Sequence, residues 1–395
     1  MLRFFEFQKE LEQTSIGELT DTVMGYAFKS SEFVEAGIQL IRMGNLYQGT
    51  LQLERTPVFM PKLSEENYKR FVISSGDLIM SMTGTMGKRD YGFILKIPQT
   101  SQNYLLNQRV MKFVVKGNNS ADFLLYLLQN EKLLNRLYSL PGGTKQANLS
   151  GQQVKELNTY VPCALEQQKI ADFLSSVDKK ISLLKEKHAL LEQYKKGVMK
   201  KLFSQDIRFK DESDNDFPDW VIEPIGRYLE EYKERVPVGT DIPVLTSSRT
   251  GLYLQERKVI NEGELGVVPK GYFTYRHMSD DLVFKFNLNR VWDKGAVSKE
   301  YPVFKAVGMN SYFLELSLNE GDDFKRFAIQ QKVGGTRTRL YYKNLVKLKL
   351  NTPSLAEQNK IAGFLQTLDK KIKLVAEQIE QTQTFKKGLL QQMFV

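Results

Sequence analysis

Cysteine and histidine are nearly missing from this chain. Its 395 residues hold one cysteine, Cys163, and two histidines, His188 and His277. A disulfide framework and a cysteine-based metal cluster are thereby excluded, and too few imidazoles remain for a histidine zinc site or most catalytic triads. Long apolar runs are missing as well. No stretch has the length needed to span a bilayer, and the N-terminal MLRFFEFQKELE becomes charged too early for a signal peptide. The reading is a reducing, cytoplasmic setting with no membrane partner. Nor is charge of one sign extreme. The net charge is +10, with lysine and arginine spread along the chain, which is compatible with nucleic acid binding without demanding it.

Proline is absent from two long stretches, and these organise the rest. EQQKIADFLSSVDKKISLLKEKHALLEQYKKGVMKKLF (166–203) returns as EQNKIAGFLQTLDKKIKLVAEQIEQTQTFKKGLLQQMF (357–394). The two align without a gap and nearly half of the positions are identical, so the repeat sets the architecture. Steps of four and three recur in both. The first copy places Ile170, Leu174, Val177, Ile181, Leu184 and His188 on one stripe; the second places Ile361, Leu365, Leu368, Ile372, Val375 and Ile379. This is the a/d seam of a coiled coil. Each helix is expected to be about 50 Å long at about 1.5 Å per residue, and the two are expected to pack on each other. His188 on the seam reads as a packed neutral histidine rather than a ligand.

Taken in order, residues 1–155 read as a globular α+β domain. Strands are expected within GIQLIRMGNL (37–46), FVISSGDLIMSM (71–82) and LLNQRVMKFVV (105–115), and a single helix capped by Ser120 over ADFLLYLLQNEKLLNRLY. Residues 156–206 form the first spacer helix. The pattern then restarts: IRF (207–209) mirrors LRF (2–4), IGRYL (225–229) mirrors IGEL (16–19), and Gly-Gly-Thr recurs at 142–144 and 334–336. A second domain occupies 207–345, with strands expected in IPVLTSS (242–248), LVFKF (282–286) and YPVFKAV (301–307) and a helix near 312–331. Residues 346–395 form the second spacer helix. The helices are alike and the domains differ, so the helices read as scaffold and the domains as what each half presents.

Antiparallel helices would let one chain imitate a symmetric dimer. Two unlike heads at a fixed separation suit a target with two unlike half-sites on one rod. DNA is such a rod, with half-sites one turn apart lying about 34–36 Å from each other. Loop chemistry agrees. Lys88 and Arg89 flank glycines in the first domain, and Thr144, Lys145, Gln146 and Asn148 follow Gly142 and Gly143. In the second, Thr336, Arg337, Thr338, Arg339 and Tyr341 hold the corresponding place, and GYFTYRH (271–277) adds Tyr272 and Arg276. Arginine, lysine, glutamine and asparagine can pair with base edges, and the cations and threonines with phosphates.

PCALEQQKIADFLSSVDKKI (162–181) and PSLAEQNKIAGFLQTLDKKI (353–372), each ahead of a KKGLL-like end, resemble the specificity subunit of type I restriction-modification systems. GIQLIRMGNL, SGDLIMSMTGTMG, LNQRV, GGTKQANLS, VVPKGYFTYR and FKDESDNDFPDW support the resemblance, which covers nearly the whole chain. It implies an α+β fold of two target-recognition domains separated by two long antiparallel helices forming a coiled coil. It implies double-stranded DNA with a bipartite target as ligand, and no catalysis or cofactor in this chain. Two methyltransferase subunits would methylate adenine with S-adenosylmethionine, and two restriction subunits using ATP and magnesium can join. The family docks its methyltransferase subunits on the helices, so Lys179, Lys180, Lys195, Lys196, Lys370, Lys371, Lys386 and Lys387 could line a docking surface or face solvent. Two alternatives stay open: a specificity subunit of a methylation-only complex, and a coiled-coil scaffold whose heads bind proteins.

Enzymatic readings are thin. Asp219 with Glu231 and Lys233 has a nuclease-like spacing, but the motif is short and common by chance. GTMGKRD lacks the first glycine and the Ser/Thr of a phosphate-binding loop. Cys163 follows a proline, has no nearby base and reads as a small packed residue.

Overall fold

Asn130 stops a helix that the apolar pattern alone would continue. Its backbone turns extended (φ −64°, ψ 133°), and its side chain accepts from the amides of Lys132 and Leu133. The expected single helix is therefore two, Ala121–Gln129 and Glu131–Tyr138, because asparagine satisfies the free amides of a new helix better than it continues an old one. Ser120 caps the first as expected, accepting from Phe123 N. The second half repeats the event. Asn310 caps Ser311–Asn319, and Gly321 opens a separate helix, Asp322–Gln330.

The computed structural model describes residues 2–47, 49–141, 145–256, 263–332 and 337–394. These divide into two units, Met1–Lys187 with Val375–Val395, and His188–Leu374. The long helices are α1 (Ala164–Phe203) and α2 (Leu355–Met393). They run antiparallel, so each unit holds the start of one and the end of the other.

In the first unit, four antiparallel strands run in the order Ile94–Lys96, Leu78–Ser81, Val110–Val115, Thr20–Met24. In the second, the order is Phe286–Leu288, Phe273–Tyr275, Val303–Ala306, Leu229–Glu231. Read along the chain, the two orders are the same. A smaller antiparallel pair ties each head to its helix: Glu12–Ser15 with Asn158–Val161, and Val221–Pro224 with Lys349–Thr352. The remaining sheets differ. The first unit adds a mixed four-stranded sheet containing Ile38–Ile41 and Tyr104–Leu106, and the second a three-stranded antiparallel one. The 105–115 run expected as one strand is split, because residues 107–109 turn between Tyr104–Leu106 and Val110–Val115. LVFKF contributes only Phe286 to a strand, since Leu282 takes a left-handed conformation (φ 64°).

The seam is buried where it meets a head. Ile170, Leu174, Val177 and Ile181 join Phe123, Leu127 and the α2 residues Leu389 and Met393 in the core of the first unit. In the second, Ile361, Leu365 and Leu368 join Phe313, Leu345 and Leu202. Val375 is buried, while Leu184, His188, Ile372 and Ile379 are half-buried. Burying several aliphatic side chains per unit, at roughly 1.5–3 kcal/mol each, far exceeds what surface ion pairs provide. The stripe is thus shared between the opposite helix and the head.

Candidate nucleic-acid interface

In each unit a short strand leaves the main sheet and is met by a strand that follows the helix pair. In the first these are β1 (Thr83–Thr85) and β2 (Gln146–Asn148), with Thr85 opposite Gln146 and Thr83 opposite Asn148. In the second they are β3 (Met278–Ser279) and β4 (Thr338–Arg339), with Met278 opposite Arg339 and Ser279 opposite Thr338. The amide of Leu340 extends the second ladder by donating to the carbonyl of His277 at 2.8 Å. Loops separated by about sixty residues are thereby set side by side, at the same place in the topology of both units.

A close approach requires glycine in the first ladder. A Cβ on Gly84 would collide with Asp90 and Tyr91. The loop beyond β1 folds back on it, and the Thr85 amide donates to Asp90 Oδ1 at 2.8 Å. Burial opposes ionisation of Asp90, but the bonds from Thr85 outweigh it and hold the carboxyl below its usual range.

The candidate residues separate into three groups. Lys88, Lys145, Gln146 and Asn148 are exposed at the first ladder, Asn148 accepting from the Thr83 hydroxyl at 3.1 Å. Arg276, Arg337, Arg339 and Tyr341 are exposed at the second, and Thr338 is buried within it. Arg89 and Tyr272 belong elsewhere. Arg89 donates to Asn135 at 2.5 Å, lies 3.6 Å from Glu131 and stacks over Tyr138, so it fastens the loop to the helix Glu131–Tyr138. Tyr272 packs against Tyr232 in an apolar cluster with Lys305 over its ring. Thr144 and Thr336, with the glycine pairs before them, lie outside the described residues.

Beside the second ladder is a cleft of about 470 Å³, lined by the hairpin Leu245–Ser248/Gly251–Leu254 and by Arg276, Met278, Asp280 and Lys285. Two arginines, one lining the cleft and one on the segment entering the ladder, are committed. Arg249 grips Asp281 through both terminal nitrogens, at 2.8 and 2.5 Å, and Arg337 donates to Asp280 at 3.0 Å. The Arg249 hydrogen bond is the main reason the Asp281 carboxyl is held below its usual range. Behind the ladder, His277 is buried and stacks on Tyr341, with ring centroids 5.7 Å apart. Among the described residues its Nδ1 has no hydrogen-bond partner, and burial lowers its pKa from 6.5, with Arg339 and Arg276 acting in the same direction and Glu300 against.

A frame of buried polar residues, not recognised from sequence, holds each head to its helix. Glu166 and Glu357 are fully buried. Arg3 Nε donates to Glu166 at 2.9 Å, and Arg208 Nε and Nη2 donate to Glu357 at 3.1 and 2.8 Å. The next residues, Gln167 and Gln358, each accept from the backbone amide of the cap before a head helix, Ser120 and Asn310, and donate to the Pro162 and Pro353 carbonyls. One turn beyond the seam's first contacts, Asp178 accepts from Tyr126 and Lys386, and Asp369 from Tyr312 and Lys195. Lys195 and Lys386 are therefore ties between helices and not free docking cations. The signal that could have revealed the frame is the return of Arg-Phe, Glu-Gln and Asp-Lys-Lys in both halves.

Asp219 of the nuclease-like spacing lies 3.7 Å from Arg208, while Glu231 pairs with Lys233 at 2.9 Å. Among the described residues no group of three or more possible ligands could hold a metal ion. None of the described helices is long and apolar enough to cross a membrane.

The model of the type I restriction modification DNA specificity domain matches residues 8–193 and 297–383. Among curated proteins, the chain is 29% identical over 208 residues to the type I restriction enzyme MjaVIII specificity subunit of Methanocaldococcus jannaschii, covering 52% of this chain and 48% of that protein. The match thus spans about half the length of that relative. A second protein of the same organism, the putative type I restriction enzyme MjaX specificity subunit, is 24% identical over 361 residues, covering 84% and 80%. Among solved structures, the type I restriction-modification S subunit from M. genitalium superposes with a TM-score of 0.60 at 14% identity, covering 99% of this chain and 98% of that one, a likeness of fold. The repeated spacer helices, the twice-used head topology and the family match over most of the sequence make this chain a member of the type I restriction-modification DNA specificity family, the family of S subunits.

Proposed function

We propose that the chain is the non-catalytic DNA-reading subunit of a type I complex, each head contacting one half of a bipartite duplex target. The observation that carries this reading is the paired ladder. In both units polar loops converge on one exposed edge at equivalent places, with amides, hydroxyls and lysines in the first and guanidiniums in the second, and these are groups that pair with base edges and phosphates. The two edges carry different side chains, as two different half-sites require. The helices set the gap between the half-sites, and their outer faces dock two methyltransferase subunits. S-adenosylmethionine, ATP and magnesium are used by those partners and by restriction subunits, with no cofactor in this chain. The DNA target places the work in the cytoplasm.

The test is an exchange. Residues 207–345 are replaced by the equivalent head of another family member, and the sequences bound by the chain with its methyltransferase partner are selected from random duplexes. Only one half of the selected sequence is expected to change. A change in both halves, or in neither, contradicts one head per half-site. Binding that weakens steeply with salt distinguishes DNA recognition from a scaffold whose heads bind proteins.

A further inference from the structure

Four arginines stand at the second ladder and its cleft with different commitments. Arg249 and Arg337 pair with Asp281 and Asp280, which offsets two carboxylates that would otherwise repel a polyanion. Arg276 lines the same cleft, is exposed, and has no hydrogen bond or ion pair among the described residues. Met278, two residues on, also lines the cleft, and directly opposite it in the ladder is Arg339, exposed and likewise without such a partner. Residues directly opposite in an antiparallel pair project on the same face, with Cβ atoms about 4.5–5.5 Å apart. Arg339 on the ladder and Arg276 in the adjoining cleft, before the bend at His277, thus put two uncommitted guanidiniums near the apolar Met278.

The ladder is a stiff support. Its backbone is fixed by the pairing of Met278 with Arg339, and behind it the buried His277 ring is stacked on Tyr341. A two-stranded ribbon is an element that the major groove of B-DNA admits, and a guanidinium donates two parallel hydrogen bonds to O6 and N7 of guanine, a pattern no other base edge offers. The first ladder differs at the same place. Thr85 and Gln146 face each other there, and Asn148 follows, with no arginine on the ladder strands.

We infer that the β3–β4 ladder of the second head is a base-reading element and that Arg276 and Arg339 specify guanine in its half-site. This rests on the reading of the chain as a bipartite DNA-specificity subunit. Lys285 and the paired Arg249 and Arg337 sit at the margins, where contacts to phosphate position the duplex without reading it.

The experiment uses the full chain in complex with its methyltransferase subunits. Arg276→Ala, Arg276→Lys and Arg339→Ala are compared with the unaltered chain for the sequence of the sites methylated. Each alanine variant is expected to relax one guanine position in one half-site, losing roughly tenfold or more of its discrimination, while the other half-site stays intact and reports that the chain is folded. Arg276→Lys, which keeps the charge but not the planar pair of donors, is expected to relax the same position. A uniform loss of methylation over all sites with an unaltered motif, accompanied by a shallower salt dependence, would make both arginines phosphate contacts and overturn the inference while leaving the bipartite reading standing. Relaxation in the first head's half-site would also overturn it. If the unaltered complex shows no sequence preference, the bipartite reading falls and this inference with it.

Discussion

Arg208 holds Glu357 through two nitrogens, and Glu357 is completely enclosed at the start of the second long helix. The indole of Trp220 donates to the same carboxylate at 3.0 Å, and Arg208 Nη2 also donates to the carbonyls of Phe217 and Pro218. The segment leading into the second head is thus pinned to the helix that leaves it. Arg3 and Glu166 repeat the arrangement in the first unit.

Removing one partner leaves a buried charge without its counterion, which costs about 3–5 kcal/mol. Arg208→Ala is therefore expected to destabilise the second unit by about that amount, measured by denaturant unfolding. Glu357→Gln with Arg208→Met, which removes both charges, is expected to be much less costly than Arg208→Ala alone. Equal losses for the single and double variants would contradict a charge-pairing role.

His277 gives the second unit a dependence on acid. Burial lowers its pKa below the ordinary 6.5, so between the two values the unfolded chain binds more protons than the folded one. Its contribution is complete above about pH 6.5 and is lost as the pH falls through the lowered value. His277→Phe, which keeps a ring against Tyr341, is expected to flatten the fall in Tm between pH 7 and pH 5. An unchanged slope would show that other groups govern it.

The spacer role carries a length prediction. One heptad inserted into each helix adds about 10 Å of rise, close to three base pairs at roughly 3.4 Å each. The gap in the recognised sequence is expected to grow by about three base pairs with both half-sites unchanged. New half-sites with an unchanged gap would contradict it.

Legibility in the sequence followed the length over which a pattern acts. The seam was readable because Ile170, Leu174, Val177 and Ile181 recur at helical spacing and return as Ile361, Leu365, Leu368 and Ile372. Asn130 was readable in principle, because an asparagine before Glu-Lys is a local cap signal, yet the apolar run around it masked the break. Glu166 looked like an ordinary acid in the first turn of a helix, where a carboxylate is favoured by the helix dipole, and its partner Arg3 lies 163 residues away. The ladders were harder still. Strands of two or three residues carry no usable alternation, so the meeting of Met278 with Arg339 belongs to tertiary structure alone. Residue type alone points Tyr272 and Arg89 toward DNA; only the folded chain shows Tyr272 packed on Tyr232 and Arg89 over Tyr138.

The central claim is that two unlike heads on one spacer read two halves of one DNA sequence. Single-molecule sequencing of modified bases, in cells expressing this chain with its methyltransferase subunits, tests it most directly. The expected result is methylated adenine within one motif made of two different defined halves separated by an unspecified gap of fixed length. An uninterrupted motif, two identical halves, or methylation that does not depend on this chain would contradict it.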